Sequence, residues 1–485
     1  MNIISNRMFS IKTLYFIAII GFILSHVPFL SSDSDSSIAT GSRGAWTDEG
    51  LNTCQIRNFV THNHFDLLDC DNFLKTPLFS VTLYPFFKIF GISMVGARLI
   101  TVFFISVLLL LFIQRLSTIW IGLFLIFTTL MFFPIHQYSH LCLAEIYSSM
   151  IIAVSLLYYS YSRITNKWLN LLILYTLLFI AVLFKIQFAY ILAIPIMLKS
   201  LEYLIDKSVH NKNQLLISGG FLIVIILGMI GIWYLQFEKE WEKIIAIHST
   251  HFSIHNISIE SIWSKVKDNF LSPKFVLFTS FFFVALILSI RQLYENKLTK
   301  ECRTLLVLSL IWVLIEFHKL SFSYLPIRYL ISFYLSMGFL ISIVFGNYMT
   351  HRIKSYKYIA RFSLIILLTF NCYSNIHAFY NRTFVMHELN NYFQNITKED
   401  DVIIGTWASA FTWNTRCLSF PIWTDFLHGR NILHYYQPNF IVYEDEEKDS
   451  GYAYKNNNIS LDSISIPLKK TRVAFWNINV IQVKK

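Results

Sequence analysis

Two adjacent carboxylates, Asp48 and Glu49, stand in GAWTDEGLNTCQIRN (44–58), shortly after the first long apolar run and ahead of Arg57. Further along, lone polar residues interrupt apolar sequence. They are Lys75 in LKTPLF, Arg98 in VGARLI, His136, His140 and Glu145 in HQYSHLCLAEIY, Lys185 in LFKIQF, and Arg328 with Tyr329 in FSYLPIRYL. Charges at membrane depth are costly and usually face a cavity or a partner. Carboxylates and cations at one level suit a phosphate-bearing lipid. Cations hold its phosphate, and a carboxylate takes the proton of an incoming nucleophile. Plainer roles exist beside these. Asp48 and Glu49 also fit solvated charge at a helix start, Lys75 and Arg98 fit snorkelling to headgroups, and Glu145 fits a structural ion pair. His136 and His140, four apart, can share a helix face toward a metal, although interface histidines are more often only polar.

The elements that position these residues must be membrane helices. The chain has 485 residues, 55% hydrophobic and 14% charged, with 45 Phe and 26 Tyr, and a mean hydropathy of +0.52. A soluble domain carries roughly 25% charged residues. The net charge of +11 invites a nucleic-acid reading, but its distribution argues against one. From residue 380 onward bases and acids balance, and the excess lies in short clusters between apolar runs, as the positive-inside rule requires.

A helix needs about 20 apolar residues to span a bilayer. By that rule about eleven transmembrane helices are expected, near 13–30, 97–113, 119–135, 146–161, 168–184, 187–200, 214–235, 274–290, 304–317, 325–347 and 360–378. The fifth and sixth form an interrupted pair. The first lacks a small-x-small cleavage site and reads as a retained helix. Lys and Arg in the short loops place the N-terminus in the cytoplasm and the C-terminus outside. Residues 1–379 then form a membrane domain, with large outer loops at 31–96 and 236–273.

The first outer loop holds LFSVTLYPFFKIFG (78–91), bracketed by Pro77 and Gly91 like a helix. It is too short to span comfortably and reads as interfacial. FEKEWEKIIAIHSTHF, in the second loop, reads the same way. Residues 380–485 read as a small α/β outer domain with strands in DDVIIGTW, PNFIVYED and TRVAFWNINVIQV. Cys54 and Cys70 can pair if their loop faces an oxidising compartment; two free thiols fit equally.

In their order, TDEG, KTPL, FG with GARL, AE, LFK and RY resemble the GT-C membrane glycosyltransferases. The branch they are most similar to is that of the protein O-mannosyltransferases and bacterial aminoarabinose transferases. The resemblance covers most of residues 10–345. KTPL has one proline where the family often has two, and Glu145 stands where Asp is common. The resemblance implies inverting sugar transfer from a polyprenyl-phosphate donor at the outer face of a cytoplasmic membrane, with a lipid, glycan or protein as acceptor. It implies Asp48 as general base and Glu49 as its catalytic neighbour, with Lys75, Arg98, Glu145, Lys185, Arg328 and Tyr329 binding substrate and phosphate. No cofactor is certain, and there is room for a divalent metal. A transporter or flippase is the alternative, and the lack of inverted repeats and of charged mid-span pairs weighs against it. A membrane scaffold is a third reading.

Overall fold

The apolar runs fold as helices in the computed structural model, which describes residues 2–39, 42–67, 69–70, 72–113, 119–237, 258–295, 298–322, 325–351, 353–422, 432–445 and 448–484. In chain order the helices are α1 (Asn2–His26), α2 (Gly44–His62), α3 (Asn72–Lys75), α4 (Pro77–Phe90), α5 (Met94–Ile113) and α6 (Ile119–Phe124). There follow α7 (Phe133–His140), α8 (Ala144–Ser160), α9 (Lys167–Phe184), α10 (Ala193–Ile205), α11 (Val209–Phe237) and α12 (Ile259–Val266). The last long ones are α13 (Val276–Tyr294), α14 (Lys300–Glu316), α15 (Ile327–Thr350), α16 (Lys354–Tyr380) and α17 (Val385–Ile396). Among the described residues nine helices are long and apolar enough to cross a membrane, or ten if one sharply bent pair counts as a span. The protein is an α-helical polytopic membrane protein. FEKEWEKIIAIHSTHF lies outside the described residues beyond Phe237.

Two expected spans take another form. The segment expected at 119–135 runs as α6 into a π-helical turn, Leu125–Leu130, and α7 then departs at 88°. A π turn frees carbonyls from the regular ladder, and asparagines of α16 meet them. Asn371 Nδ2 donates to Phe127 O at 3.1 Å and Thr128 O at 3.2 Å, and Asn375 Nδ2 donates to Met131 O at 2.8 Å. The segment expected at 146–161 is α8, whose 17 residues cover about 26 Å at 1.5 Å per residue, a little under a ~30 Å hydrocarbon core. The interrupted pair is seen as expected: α9 stops at Phe184, Lys185 is extended, and a 3-10 turn (Ile186–Leu192) leads into α10. α15 lies at the centre, buried along nearly its whole length.

α4 starts at Pro77, whose missing N–H costs nothing in a first turn, and ends at Gly91. α2, not anticipated as a helix of this length, packs against α4 and against the C-terminal region. That region holds a five-stranded sheet in the order β2-β1-β3-β5-β4, built from β1 (Val402–Ile404), β2 (Leu418–Phe420), β3 (Phe440–Glu444), β4 (Ser465–Val473) and β5 (Trp476–Val483). β1 pairs in parallel with β2 and β3, and β5 runs antiparallel to β3 and β4. TRVAFWNINVIQV, expected as one strand, is the end of β4, a turn at Ala474–Phe475, and β5.

Candidate functional site

Asp48 and Glu49 sit in the second turn of α2, and their environments differ. Successive helical residues point about 100° apart. Glu49 turns inward and is buried. Arg98 of α5 donates to it from Nε at 3.0 and 3.2 Å and from Nη2 at 2.5 Å, and the Cys142 amide donates to Oε1 at 2.7 Å. Arg98 Nη1 in turn donates to the carbonyls of Ser32, Leu30 and Phe29 at 2.7, 3.1 and 3.3 Å. This bidentate pair ties α2 to α5 and to the chain leaving α1. The Arg98 guanidinium and the Glu49 carboxylate are thus occupied by each other and by backbone groups.

Asp48 is mostly buried, with 15% of its side chain exposed. Arg328 Nε, one residue into α15, lies 2.9 Å from Asp48 Oδ2. Arg328 Nη1 also donates to Ser42 Oγ at 2.6 Å. Gly44 makes this possible, because a Cβ there would lie 1.7 Å from Arg328 Nη1. Burial pushes the Asp48 carboxyl above its ordinary range. Arg328 opposes that shift most strongly, Glu145 adds to it, and Lys185 and Arg43 oppose it.

Lys185 and Glu145 form a second buried pair, Nζ to Oε1 at 2.5 Å. Glu145 opens α8, and Lys185 is the extended residue between two helical segments, where its side chain is free to leave the helix face. The Tyr329 ring lies between the cations, 5.0 Å from the Arg328 guanidinium carbon and 5.8 Å from Lys185 Nζ. Glu145 Oε2 is buried without a hydrogen-bond partner among the described residues. The structure thus gathers Asp48, Arg328, Tyr329, Lys185 and Glu145. Lys75 closes the short helix α3, half-buried, two residues before Pro77.

His136, His140 and Glu145 were expected on an outer loop. They are instead buried on α7 and at the start of α8. His136 Nε2 faces Ser25 Oγ at 3.1 Å, and its ring lies 4.2 Å from that of His26. Among the described residues no group of three or more His, Cys, Asp or Glu is arranged to hold a metal ion. No disulfide joins Cys54 to Cys70.

Sequence reasoning missed one pair altogether. Glu316, at the end of α14, is fully buried and accepts from Trp312 Nε1 at 3.0 Å, Tyr190 Oη at 2.8 Å and Ser332 Oγ at 2.9 Å. Lys319 Nζ lies 2.7 Å from its Oε2 and donates to Tyr329 O at 2.8 Å and to Ser332 Oγ. This buried charged pair lies at the end of its helix rather than mid-span. The signal available was EFHK, an acid and a base three apart at the end of an apolar run.

α2 also joins the site to the sheet. Arg57 Nη2 donates to Ser409 O at 2.6 Å, and its guanidinium lies 4.3 Å over Trp413. Burial brings Arg57 down to about 10. The Asn58 amide pairs with the backbone of edge-strand residue Ser419, at 3.0 and 3.3 Å. Gly50 lies so close to Ser409 that a Cβ would come within 2.4 Å of its carbonyl oxygen.

Comparison with known proteins finds no matching family model and no characterised protein that matches the sequence. The functional reading rests on the arrangement of residues.

Proposed function

We propose that the protein is an inverting glycosyltransferase that moves a sugar from a polyprenyl-phosphate donor to an acceptor at the outer face of a bacterial cytoplasmic membrane. The observation that carries the reading is the Asp48 carboxylate, 15% exposed and held at 2.9 Å by Arg328, with Lys185 and Glu145 close enough to act on its charge. In this scheme the acceptor hydroxyl attacks the anomeric carbon and Asp48 takes its proton. The carbon–oxygen bond to phosphate breaks, and the electron pair leaves with the lipid phosphate. Attack opposite the leaving group inverts the centre. Arg328 and Lys185 stabilise charge growing on the phosphate oxygens, so no protonating acid is needed. In the same scheme the C-terminal sheet lies outside and contributes to acceptor selection.

A transporter reading draws support from the Glu316–Lys319 and Glu145–Lys185 pairs, since buried intramembrane charges also line solute pathways. The two readings part in proteoliposomes. Labelled polyprenyl-phosphate monosaccharides, offered with membrane acceptor extract, release free polyprenyl phosphate if the protein is a transferase. Accumulation of intact donor in the other leaflet, without cleavage, would support the transporter instead.

A further inference from the structure

A cavity of about 350 Å³ opens on another side of α2, where the connection after α1, the α16–α17 junction and the β4–β5 turn meet. We propose that it binds a pyranose ring, as a second ligand site separate from the Asp48 group. The inference goes beyond the transferase reading and does not depend on it.

The volume lies within the usual range of clefts for small molecules. Its polar groups are mixed in kind. Gln137, on α7, lines the cavity while 1% exposed, and its Nε2 is buried with no partner among the described residues. A buried unpaired amide is costly, and a ligand oxygen at this wall would relieve it. Asp35, which lines the cavity, accepts the Ser37 amide on Oδ1 at 2.8 Å and has Oδ2 as a second acceptor. Arg472, which lines the cavity, donates Nε to Ala474 O at 3.1 Å and carries further N–H donors on its Nη atoms. Asn381 donates Nδ2 to His377 O at 3.0 Å, leaving its carbonyl oxygen as a further acceptor. Phe475, 62% exposed at the hairpin turn, offers an aromatic face beside these groups.

Donors, acceptors and an exposed aromatic ring together match a polyhydroxylated ring, whose hydroxyls both give and take hydrogen bonds and whose C–H face stacks on an aromatic. Other ligands fit less well. Asp33 and Asp35 offset the charge of Arg382 and Arg472 on the same wall, so a bare phosphate meets no net positive site. Asp33 is already tied to the start of α17, accepting from Val385 N and Met386 N at 2.9 Å each and from Thr383 Oγ1 at 2.6 Å. A hydrocarbon tail would bury these charges without partners.

The test uses the full-length protein in nanodiscs without glycolipid. Saturation-transfer NMR is run with methyl glucoside, methyl mannoside and N-acetylglucosamine, with inorganic phosphate as control. At least one pyranoside is expected to bind, and its affinity is expected to fall fivefold or more in Arg472→Ala, Phe475→Ser and Gln137→Leu. The first two alter exposed side chains, so they test the site even if Gln137→Leu does not fold. Monoglycosyl diacylglycerol in the disc distinguishes the source of the ring. Competition by it assigns a glycolipid headgroup, and its failure to compete assigns a free glycan; both support the site. Asp48→Asn should bind pyranosides as wild type does. No binding by any pyranoside, equal affinity in all three cavity variants, tighter binding of inorganic phosphate, or loss of binding in Asp48→Asn would each overturn the proposal. Absence of donor cleavage by the wild-type protein, with intact pyranoside binding, would count against the transferase reading alone.

Discussion

Arg328 Nε stands 2.9 Å from Asp48 Oδ2, and Arg328 is the strongest of the charges that hold down a carboxyl raised by burial. A general base works only when deprotonated, so transfer should fail on the acid side at a pH above the ordinary Asp range. Removing the guanidinium removes a charge that favours the carboxylate, so the Asp48 pKa rises further. Arg328→Gln is therefore expected to move the acid limb of the kcat/KM profile to higher pH, as well as lowering its plateau. Arg328→Lys should restore part of the shift. An unmoved limb would show that Asp48 is not the titrating group.

The neighbouring carboxylate should behave differently. Glu49 and Arg98 are both buried and bound to each other, and removing one partner of such a pair costs about 3–5 kcal/mol. Glu49→Ala should lower the thermal midpoint of detergent-solubilised protein markedly. Asp48→Asn keeps the side chain's shape and an amide oxygen for Arg328, so it should shift the midpoint less than Glu49→Ala does while removing activity.

Gly44 tests the fit around Arg328. A methyl group there would meet the guanidinium, so Gly44→Ala should push Arg328 off Asp48. Displacements of about 1 Å can cost on the order of 10²-fold in rate. A loss of that size in kcat/KM, with the fold retained by circular dichroism, is the expected outcome.

Glu316 and Lys319 make a further contrast. Lys319→Met alone leaves a buried carboxylate facing Ser332, Tyr190 and Trp312, and should destabilise by about 3–5 kcal/mol. Lys319→Met with Glu316→Gln removes both charges and should recover most of that loss in urea unfolding.

Much of this arrangement was legible in the sequence, because a charge beside an apolar run is conspicuous. Asp48, Glu145, Lys185 and Arg328 stood out for that reason, and the structure brings them together. Which carboxylate of the Asp48–Glu49 pair is already occupied was not legible. It depends on Arg98 arriving from α5, and no local pattern encodes that meeting. The eight residues of α7 are too few for helical periodicity to show in the sequence, yet α7 is helical and buried. The β4–β5 turn was invisible for a chemical reason. It is made by Ala474, at φ 50°, and Phe475, not by the Gly, Asn or Pro that usually mark turns.

The most direct measurement is single-turnover release of polyprenyl phosphate from its labelled sugar conjugate, comparing wild type with Asp48→Asn and measuring donor binding in parallel. Loss of general-base help predicts a fall of about 10²–10⁴ in the release rate, with donor affinity little changed. Release at the wild-type rate in Asp48→Asn would contradict the account.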